Sequence, residues 1–145
     1  MKCENYITFE CLSRSANEAF ARGAVACFAA QLDPTLEEVN DIKTAVSEAV
    51  TNAIVHAYPD TLGKIVLKLR IREDHSLEII VKDWGAGIAD VDQARTPLFT
   101  TGGEERSGMG FTIMESFMDA LKVRSAPGKG VTVTMARRIA RRAGR

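Results

Sequence analysis

Three short segments of the chain carry residue types that could hold a magnesium nucleotide. The first contains a carboxylate and an amide, Glu48 and Asn52, four residues apart on a predicted helix. An amide oxygen can complete the octahedral shell of a Mg²⁺ ion that phosphates and waters already hold. A carboxylate one turn earlier could accept a proton from an attacking hydroxyl. Glu48, Asn52 and His56 are spaced four residues apart and would form a polar ridge along the helix. Taken alone, this ridge could equally be a solvated helix face.

The second segment places Asp83 two residues after Val81, the last of several alternating apolar residues in a predicted strand. The alternation points Asp83 toward the apolar layer, where a carboxylate is costly unless it is hydrogen-bonded. An adenine amino group would supply such a bond and would distinguish adenine from guanine. Gly85 and Gly87 allow the backbone to approach a flat ring or to turn with positive φ. A strand-ending Asp-Gly turn is the alternative interpretation.

The third segment contains Gly108 and Gly110, which open an apolar helix pattern just after Arg106. Free backbone N–H groups at a helix N-terminus favour phosphate. Residues 88–106 carry almost no apolar signal, and a loop of that length in a small domain is usually functional. We therefore predict a lid from which Arg106 reaches a γ-phosphate, and a salt bridge to a neighbouring glutamate is its alternative role. Together the three segments predict a site for a Mg-nucleotide.

The elements that position these segments follow from local patterns. Thr35, with Glu38 three residues later, is a capping-box pattern for the helix that carries Asn52. In chain order the patterns predict a strand over 5–12, a helix from Ser13 or Ser15 to about 31, a helix from 35 to about 56, strands over 65–71 and 77–81, a helix over 108–118, and strands over 121–124 and 131–135.

Strands joined mostly by hairpins, with helices that must cover one face, predict an α/β two-layer sandwich with a mainly antiparallel, mixed sheet. With 145 residues and no internal repeat, we expect one domain over 1–145. Basic and acidic residues number 19 each, which gives no reason to expect nucleic acid. No apolar run is long enough to cross a bilayer and the start lacks a signal core, so we expect a cytoplasmic protein without membrane contact. The three cysteines show no metal-type spacing.

The ordered set Glu48-x₃-Asn52, Asp83-x-Gly85-x-Gly87 and Gly108-x-Gly110 resembles the Bergerat ATP-binding fold of gyrase, the heat-shock chaperone and histidine kinases, the GHKL superfamily. Longer segments narrow this resemblance to the sporulation anti-sigma-F factor family of serine protein kinases, and they are spread over essentially the whole chain. These segments are 47–56, Pro97-Leu-Phe-Thr-Thr101, Arg106-Ser-Gly-Met-Gly-Phe-Thr-Ile-Met-Glu115, Glu18-Ala-Phe-Ala-Arg22 and Gln31-Leu-Asp-Pro-Thr35.

The resemblance implies a homodimeric switch protein that binds ATP or ADP with Mg²⁺. It implies that the protein inhibits a sigma-F-like sigma factor and phosphorylates a serine on an anti-anti-sigma partner. By position it assigns Mg²⁺ binding to Asn52, the catalytic base to Glu48 and adenine binding to Asp83. The other implied roles are pocket shaping by Gly87, Gly108 and Gly110, γ-phosphate contact by Thr101 and Arg106, and partner docking by Arg22.

Three other functions remain open on the sequence alone. The ATP-binding half of a histidine kinase needs a phosphoacceptor histidine on a dimerisation hairpin, whereas His56 lies on the predicted nucleotide helix and His75 in a hairpin turn. A module that sequesters a sigma factor could use nucleotide only as a structural cofactor. An anti-sigma kinase for a general-stress sigma factor is a third alternative. The basic ending 137–145 is expected to be a solvated tail, and assisting the binding of an acidic partner is its alternative role.

Overall fold

The structure is a computed structural model that describes residues 2–87 and 110–141. The predicted lid over 88–106 and three of the predicted site residues, Thr101, Arg106 and Gly108, lie outside this range. The elements within it are β1 (Cys3–Leu12), α1 (Ala16–Ala29), a 3-10 turn (Ala30–Leu32), α2 (Leu36–Asn52), a π-helical turn (Ala53–Ala57), β2 (Lys64–Arg72), β3 (Ser76–Asp83), α3 (Gly110–Phe117), β4 (Ala120–Ser125) and β5 (Val131–Arg138).

The described strands form a five-stranded sheet in the order β1-β2-β3-β5-β4, and each neighbouring pair is antiparallel. Buried residues alternate with more exposed ones along β2 and along β3 from Ile79 onward, because successive side chains in a strand point to opposite faces, and the first four residues of β3 are all buried. The inward residues of these strands include Ile65, Leu67, Leu69, Leu77, Ile79 and Val81. The predicted α/β two-layer sandwich is thereby confirmed.

Helix α2 lies at the centre of the helical layer, packed between α1 and α3. Its start is fixed by the predicted capping box: the Glu38 amide donates to Thr35 Oγ1 at 3.1 Å, and the Thr35 amide donates to Glu38 Oε1 at 2.8 Å. The buried side of α2 includes small residues such as Ala45 and Ala49, which allow the neighbouring elements to approach closely. This helix carries Glu48 and Asn52.

The basic ending is not a solvated tail throughout, which corrects the sequence-based expectation. Strand β5 continues to Arg138, and Ile139 is fully buried. The inward alternation of β5 brings Arg137 to the helical layer, where its Nη1 donates to Asp41 Oδ2 at 2.8 Å and to the Phe117 carbonyl at 2.7 Å. The guanidinium therefore has partners that offset its partial burial. None of the described helices is long and apolar enough to span a membrane.

Candidate functional site

The first and third predicted segments meet where α2 faces the start of α3. A Cβ atom added to Gly110 would lie 3.2 Å from Glu48 Oε2 and 3.1 and 3.3 Å from the amide nitrogen and oxygen of Asn52. Glu48 and Asn52 are both half-buried at this point. The missing side chain at position 110 therefore allows a carboxylate and an amide to converge on the backbone that opens α3.

The end of α2 differs from the prediction of one continuous α-helix to about residue 56. Regular α-helix ends at Asn52, and Ala53–Ala57 form a π-helical turn. A π-helical turn advances less around the axis per residue, so His56 does not continue the line of Glu48 and Asn52 that a 3.6-residue period predicts. The Ala57 carbonyl that leaves this turn accepts a hydrogen bond from the Ala86 amide at 3.3 Å. The turn thus joins α2 to the second predicted segment.

Asp83 occupies the inward position at the end of β3, as the alternation predicted, and is only 5% exposed. Its Oδ1 accepts hydrogen bonds from the Gly85 amide at 3.0 Å and the Val131 amide at 3.1 Å. Burial raises the pKa of the Asp83 carboxyl, and these two hydrogen bonds act in the opposite direction. The described residues place no hydrogen bond on Oδ2. The backbone therefore fixes one of the two carboxylate oxygens of Asp83.

The loop from Gly85 to Gly87 packs against the turn between β4 and β5. The Gly128 amide donates to the Ala86 carbonyl at 2.7 Å. Gly87 has a φ of 78°, and a Cβ there would fall 2.1 Å from the Ala126 carbonyl oxygen. Positive φ and this close approach both require glycine at position 87. Gly85 contributes its amide to Asp83, whereas Gly87 allows the loop to pack closely on the turn between β4 and β5.

Arg22, the predicted partner-docking residue, lies on α1 with its side chain 41% exposed. Its Nη1 lies 3.6 Å from Glu18 Oε1, and the same carboxylate oxygen accepts a hydrogen bond from the Ser47 hydroxyl. Ser47 directly precedes Glu48 on α2. The exposed arginine is thus linked through Glu18 to the helix that carries Glu48.

The local sequence patterns gave no sign of several groups that shape this site. The Val131 amide lies 48 positions from Asp83 and reaches it only because β3 pairs with β5. Tyr58 donates its hydroxyl to the Lys64 carbonyl at 2.8 Å and accepts from the Trp84 amide at 2.7 Å. A buried carboxylate at a strand end indicates that hydrogen-bond donors must exist, but it does not identify them.

Comparison with known proteins gives a consistent result over nearly the whole chain. Residues 12–137 match the family model of the histidine kinase-like ATPase domain. An anti-sigma F factor of Caldanaerobacter subterraneus subsp. tengcongensis is 56% identical over 142 residues, which cover 97% of this chain and 99% of that protein. An anti-sigma F factor of Bacillus subtilis is 50% identical over 143 residues, which cover 97% of this chain and 96% of that protein.

Solved structures show the same fold at low sequence identity. The RsbU and RsbW domains of a Mycobacterium tuberculosis protein align with a TM-score of 0.69 and 19% identity, covering 96% of this chain and 33% of that chain. The histidine kinase domain of a blue-light activated kinase from Erythrobacter litoralis aligns with a TM-score of 0.58 and 22% identity, covering 84% of this chain and 64% of that chain. At these identities the likeness shows the fold alone.

Proposed function

The chain belongs to the anti-sigma F factor family and carries a histidine kinase-like ATPase domain, and on that premise we propose that it is an ATP-dependent serine kinase that also inhibits a sigma factor. The sigma factor is of the sporulation F type, and the phosphorylated protein is its anti-anti-sigma partner. In this proposal the protein acts as a cytoplasmic homodimer and binds ATP or ADP with Mg²⁺.

The observation that carries the proposal is the convergence of Glu48 and Asn52 on Gly110. The Asn52 oxygen is a neutral ligand of the kind that Mg²⁺ accepts alongside phosphate and water. A Cβ added to Gly110 would lie 3.2 Å from Glu48 Oε2. The carboxylate of Glu48 therefore faces the space that the absent side chain of Gly110 leaves at the start of α3. A carboxylate, an amide and the backbone that opens α3 are thus within one small region.

The residues present fit a magnesium nucleotide. Asp83 is buried, and its Oδ1 is fixed by the Gly85 and Val131 amides, which leaves Oδ2 to accept the exocyclic amine of adenine. Gly85 and Gly87 let the backbone of the second segment pack against the carbonyl groups of Ala57 and Ala126, which holds the loop beside Asp83. When bound, Mg-ATP supplies the phosphoryl group that is transferred. Phosphoryl transfer requires positioning and charge compensation more than covalent chemistry, so the chain needs no nucleophile of its own.

Glu48 acts as the general base in this proposal. Its carboxylate accepts the proton of the partner's serine hydroxyl, while Thr101 and Arg106 serve the γ-phosphate side and Gly108 and Gly110 shape the phosphate pocket. Arg22, exposed on α1, docks the partner protein. No bond between this chain and the phosphoryl group is formed, which separates the mechanism from that of a histidine kinase.

The test is incubation of the protein with γ-labelled ATP, Mg²⁺ and candidate anti-anti-sigma proteins. We expect acid-stable phosphoserine on the partner and none on the chain itself. Glu48→Gln should abolish this transfer and leave ATP affinity largely intact, because the amide keeps the size of the side chain and loses the base. Glu37→Gln, on the exposed first turn of α2, is the matched control and should transfer normally.

Two results would replace the proposal with one of its alternatives. Acid-labile phosphate on the chain would indicate a histidine kinase. Nucleotide-dependent binding of the sigma factor without phosphoserine on any partner would indicate a sequestering module. Equal loss of ATP affinity and of transfer in Glu48→Gln would mean that Glu48 has a structural role rather than a catalytic one.

A further inference from the structure

The hydroxyl of Tyr58 lies between two strands of the sheet at the end that carries Asp83. It donates to the Lys64 carbonyl of β2 at 2.8 Å and accepts from the Trp84 amide, one residue beyond β3, at 2.7 Å. The ring that carries this hydroxyl packs on the α-carbon of Gly63. One side chain from the segment after α2 therefore bridges β2 and β3.

The register of β2 and β3 shows what this bridge replaces. Ile65 is opposite Asp83, so the next pair along the antiparallel ladder is Lys64 with Trp84. In a continuous ladder the Trp84 amide would donate directly to the Lys64 carbonyl, with nitrogen and oxygen about 2.9 Å apart. Instead the Tyr58 hydroxyl stands between the two groups and satisfies both. The strands consequently part immediately after the residue that reads the base.

The hydroxyl is suited to this double role because it keeps its proton. Burial raises the pKa of Tyr58, the Trp84 hydrogen bond acts in the opposite direction, and the nearby charge of Asp83 raises it further. The same short segment also holds the following loop, since the Ala57 carbonyl accepts from the Ala86 amide at 3.3 Å. Ala57 and Tyr58 thus fix the backbone on the C-terminal side of Asp83 at two points.

We propose that Tyr58 is a positioning residue for Asp83, and that its hydroxyl, by holding β2 and β3 apart, sets the selectivity of the site for adenine over guanine. The inference rests on the proposed ATP site and adds to it the group that orients the base-reading carboxylate. In this role Tyr58 acts through Asp83 and not by contact with the base or the phosphates. Without its hydroxyl, the Trp84 amide and the Lys64 carbonyl can pair directly, which extends the ladder by one pair and draws the Asp83–Trp84 peptide toward β2.

The test is the affinity of Tyr58→Phe for Mg-ATP and Mg-GTP, each measured by titration calorimetry. We expect ATP to bind about tenfold more weakly and the ratio of ATP affinity to GTP affinity to fall by about the same factor. A displaced Asp83 carboxylate would lose its hydrogen bond from the adenine amine, whereas the contacts to the phosphates, which ATP and GTP share, would remain. Tyr6→Phe is the matched control: Tyr6 is 71% exposed on β1, and both affinities should stay unchanged. Tyr58→Phe with an unchanged ratio would overturn the inference.

A double-mutant cycle tests whether Tyr58 acts through Asp83. In an Asp83→Asn background, Tyr58→Phe should cause no further loss of the ATP-to-GTP ratio, since residues that act as a unit are non-additive. Equal loss in both backgrounds would overturn the inference. A wild-type protein that binds neither nucleotide would refute the proposed function itself, whereas normal wild-type selectivity that survives Tyr58→Phe refutes only the role of Tyr58.

A second variant keeps the inference testable if Tyr58→Phe does not fold. A Cβ at Gly63 would fall 2.1 Å from Tyr58 Cε1, so Gly63→Ala must displace the tyrosine ring. The hydroxyl group is still present in this variant, but it is moved away from the Lys64 carbonyl and the Trp84 amide. We expect Gly63→Ala to lower the ATP-to-GTP ratio in the same direction as Tyr58→Phe. Folded Gly63→Ala protein with wild-type selectivity would contradict the inference.

Discussion

The α-carbon of Gly110 packs against the carboxylate of Glu48, so closely that a methyl group at position 110 would lie 3.2 Å from Glu48 Oε2. Such a separation is tighter than ordinary van der Waals contact, and either the carboxylate or the start of α3 would have to shift by a few tenths of an ångström. A side chain at position 110 would therefore crowd Glu48 and Asn52.

Gly110→Ala should separate function from stability. We expect the rate of phosphoryl transfer to fall by about tenfold or more, because the added methyl displaces Glu48 and Asn52 from their relative positions. The free energy of unfolding should hardly change, since alanine favours helix and partly offsets the crowding. Transfer assays and urea titration measure the two quantities.

Gly23→Ala is the control for this substitution. Gly23 lies within α1, and a Cβ there meets nothing within 4 Å. The free energy of unfolding should rise by about 0.5–1 kcal/mol, with unchanged ATP affinity. If Gly110→Ala behaves like Gly23→Ala in both assays, the close approach between Gly110 and Glu48 does not contribute to phosphoryl transfer.

Asn52→Ala should weaken the Mg²⁺-dependent part of ATP binding. With Mg²⁺ present we expect about tenfold lower affinity for ATP, and with a chelator present the variant and the wild type should bind alike, because the proposed role of the lost amide is to bind the metal. Asn40→Ala, exposed in the first half of α2, provides the control and should resemble the wild type in both conditions. An equal loss with and without Mg²⁺ would argue against metal binding by Asn52.

Asp83→Asn should stabilise the protein at neutral pH while impairing its affinity for ATP. Burial raises the pKa of this carboxyl in the folded state, so the native state holds the proton to a higher pH than the unfolded chain does. Stability is therefore lost as pH rises from the ordinary aspartate pKa of about 3.9 through the raised value, and the loss persists at pH 7. Asparagine stays neutral and its Oδ1 can still accept from Gly85 and Val131.

We expect Asp83→Asn to exceed the wild type by on the order of 1 kcal/mol in free energy of unfolding at pH 7, and the difference to shrink as pH is lowered toward about 4. Urea titrations at several pH values give this comparison. Asp60→Asn, on an exposed loop, should show no such trend. A difference that grows on acidification would have the wrong sign and would refute the raised pKa.

Arg137→Ala should destabilise the fold by about 2 kcal/mol, because it leaves the partly buried Asp41 carboxylate and the Phe117 carbonyl without this donor. Its neighbour Arg138 is exposed, and Arg138→Ala should change the free energy of unfolding by less than about 0.5 kcal/mol. Chemical denaturation measures both. Equal small effects would restore the view of this ending as a solvated tail.

Local patterns predicted the parts of the fold that depend on local chemistry. Thr35 and Glu38 form the expected capping box, and the alternation through Val81 correctly placed Asp83 inward. The convergence of Glu48 and Asn52 on Gly110 agrees with the predicted grouping of segments, while the functions of these residues stay predictions.

Features that depend on distant contacts were beyond the reach of local patterns. The Val131 amide reaches Asp83 through strand pairing, and the π-helical turn after Asn52 replaces a regular helical end that the 3.6-residue period favoured. Arg137 was assigned to a tail because of its charge, and its partner Asp41 lies on α2, 96 positions earlier in the sequence. In each case tertiary pairing outweighed the local preference.

Trp84 is the one tryptophan of the sequence, and it directly follows Asp83. It is 46% exposed, with the ammonium groups of Lys64 and Lys82 at 4.4 and 5.1 Å from its ring. Indole emission responds to nearby charge and solvent, so the protein contains its own optical reporter beside the carboxylate proposed to bind adenine. Stopped-flow recording of that emission should follow nucleotide arrival and departure in unlabelled protein.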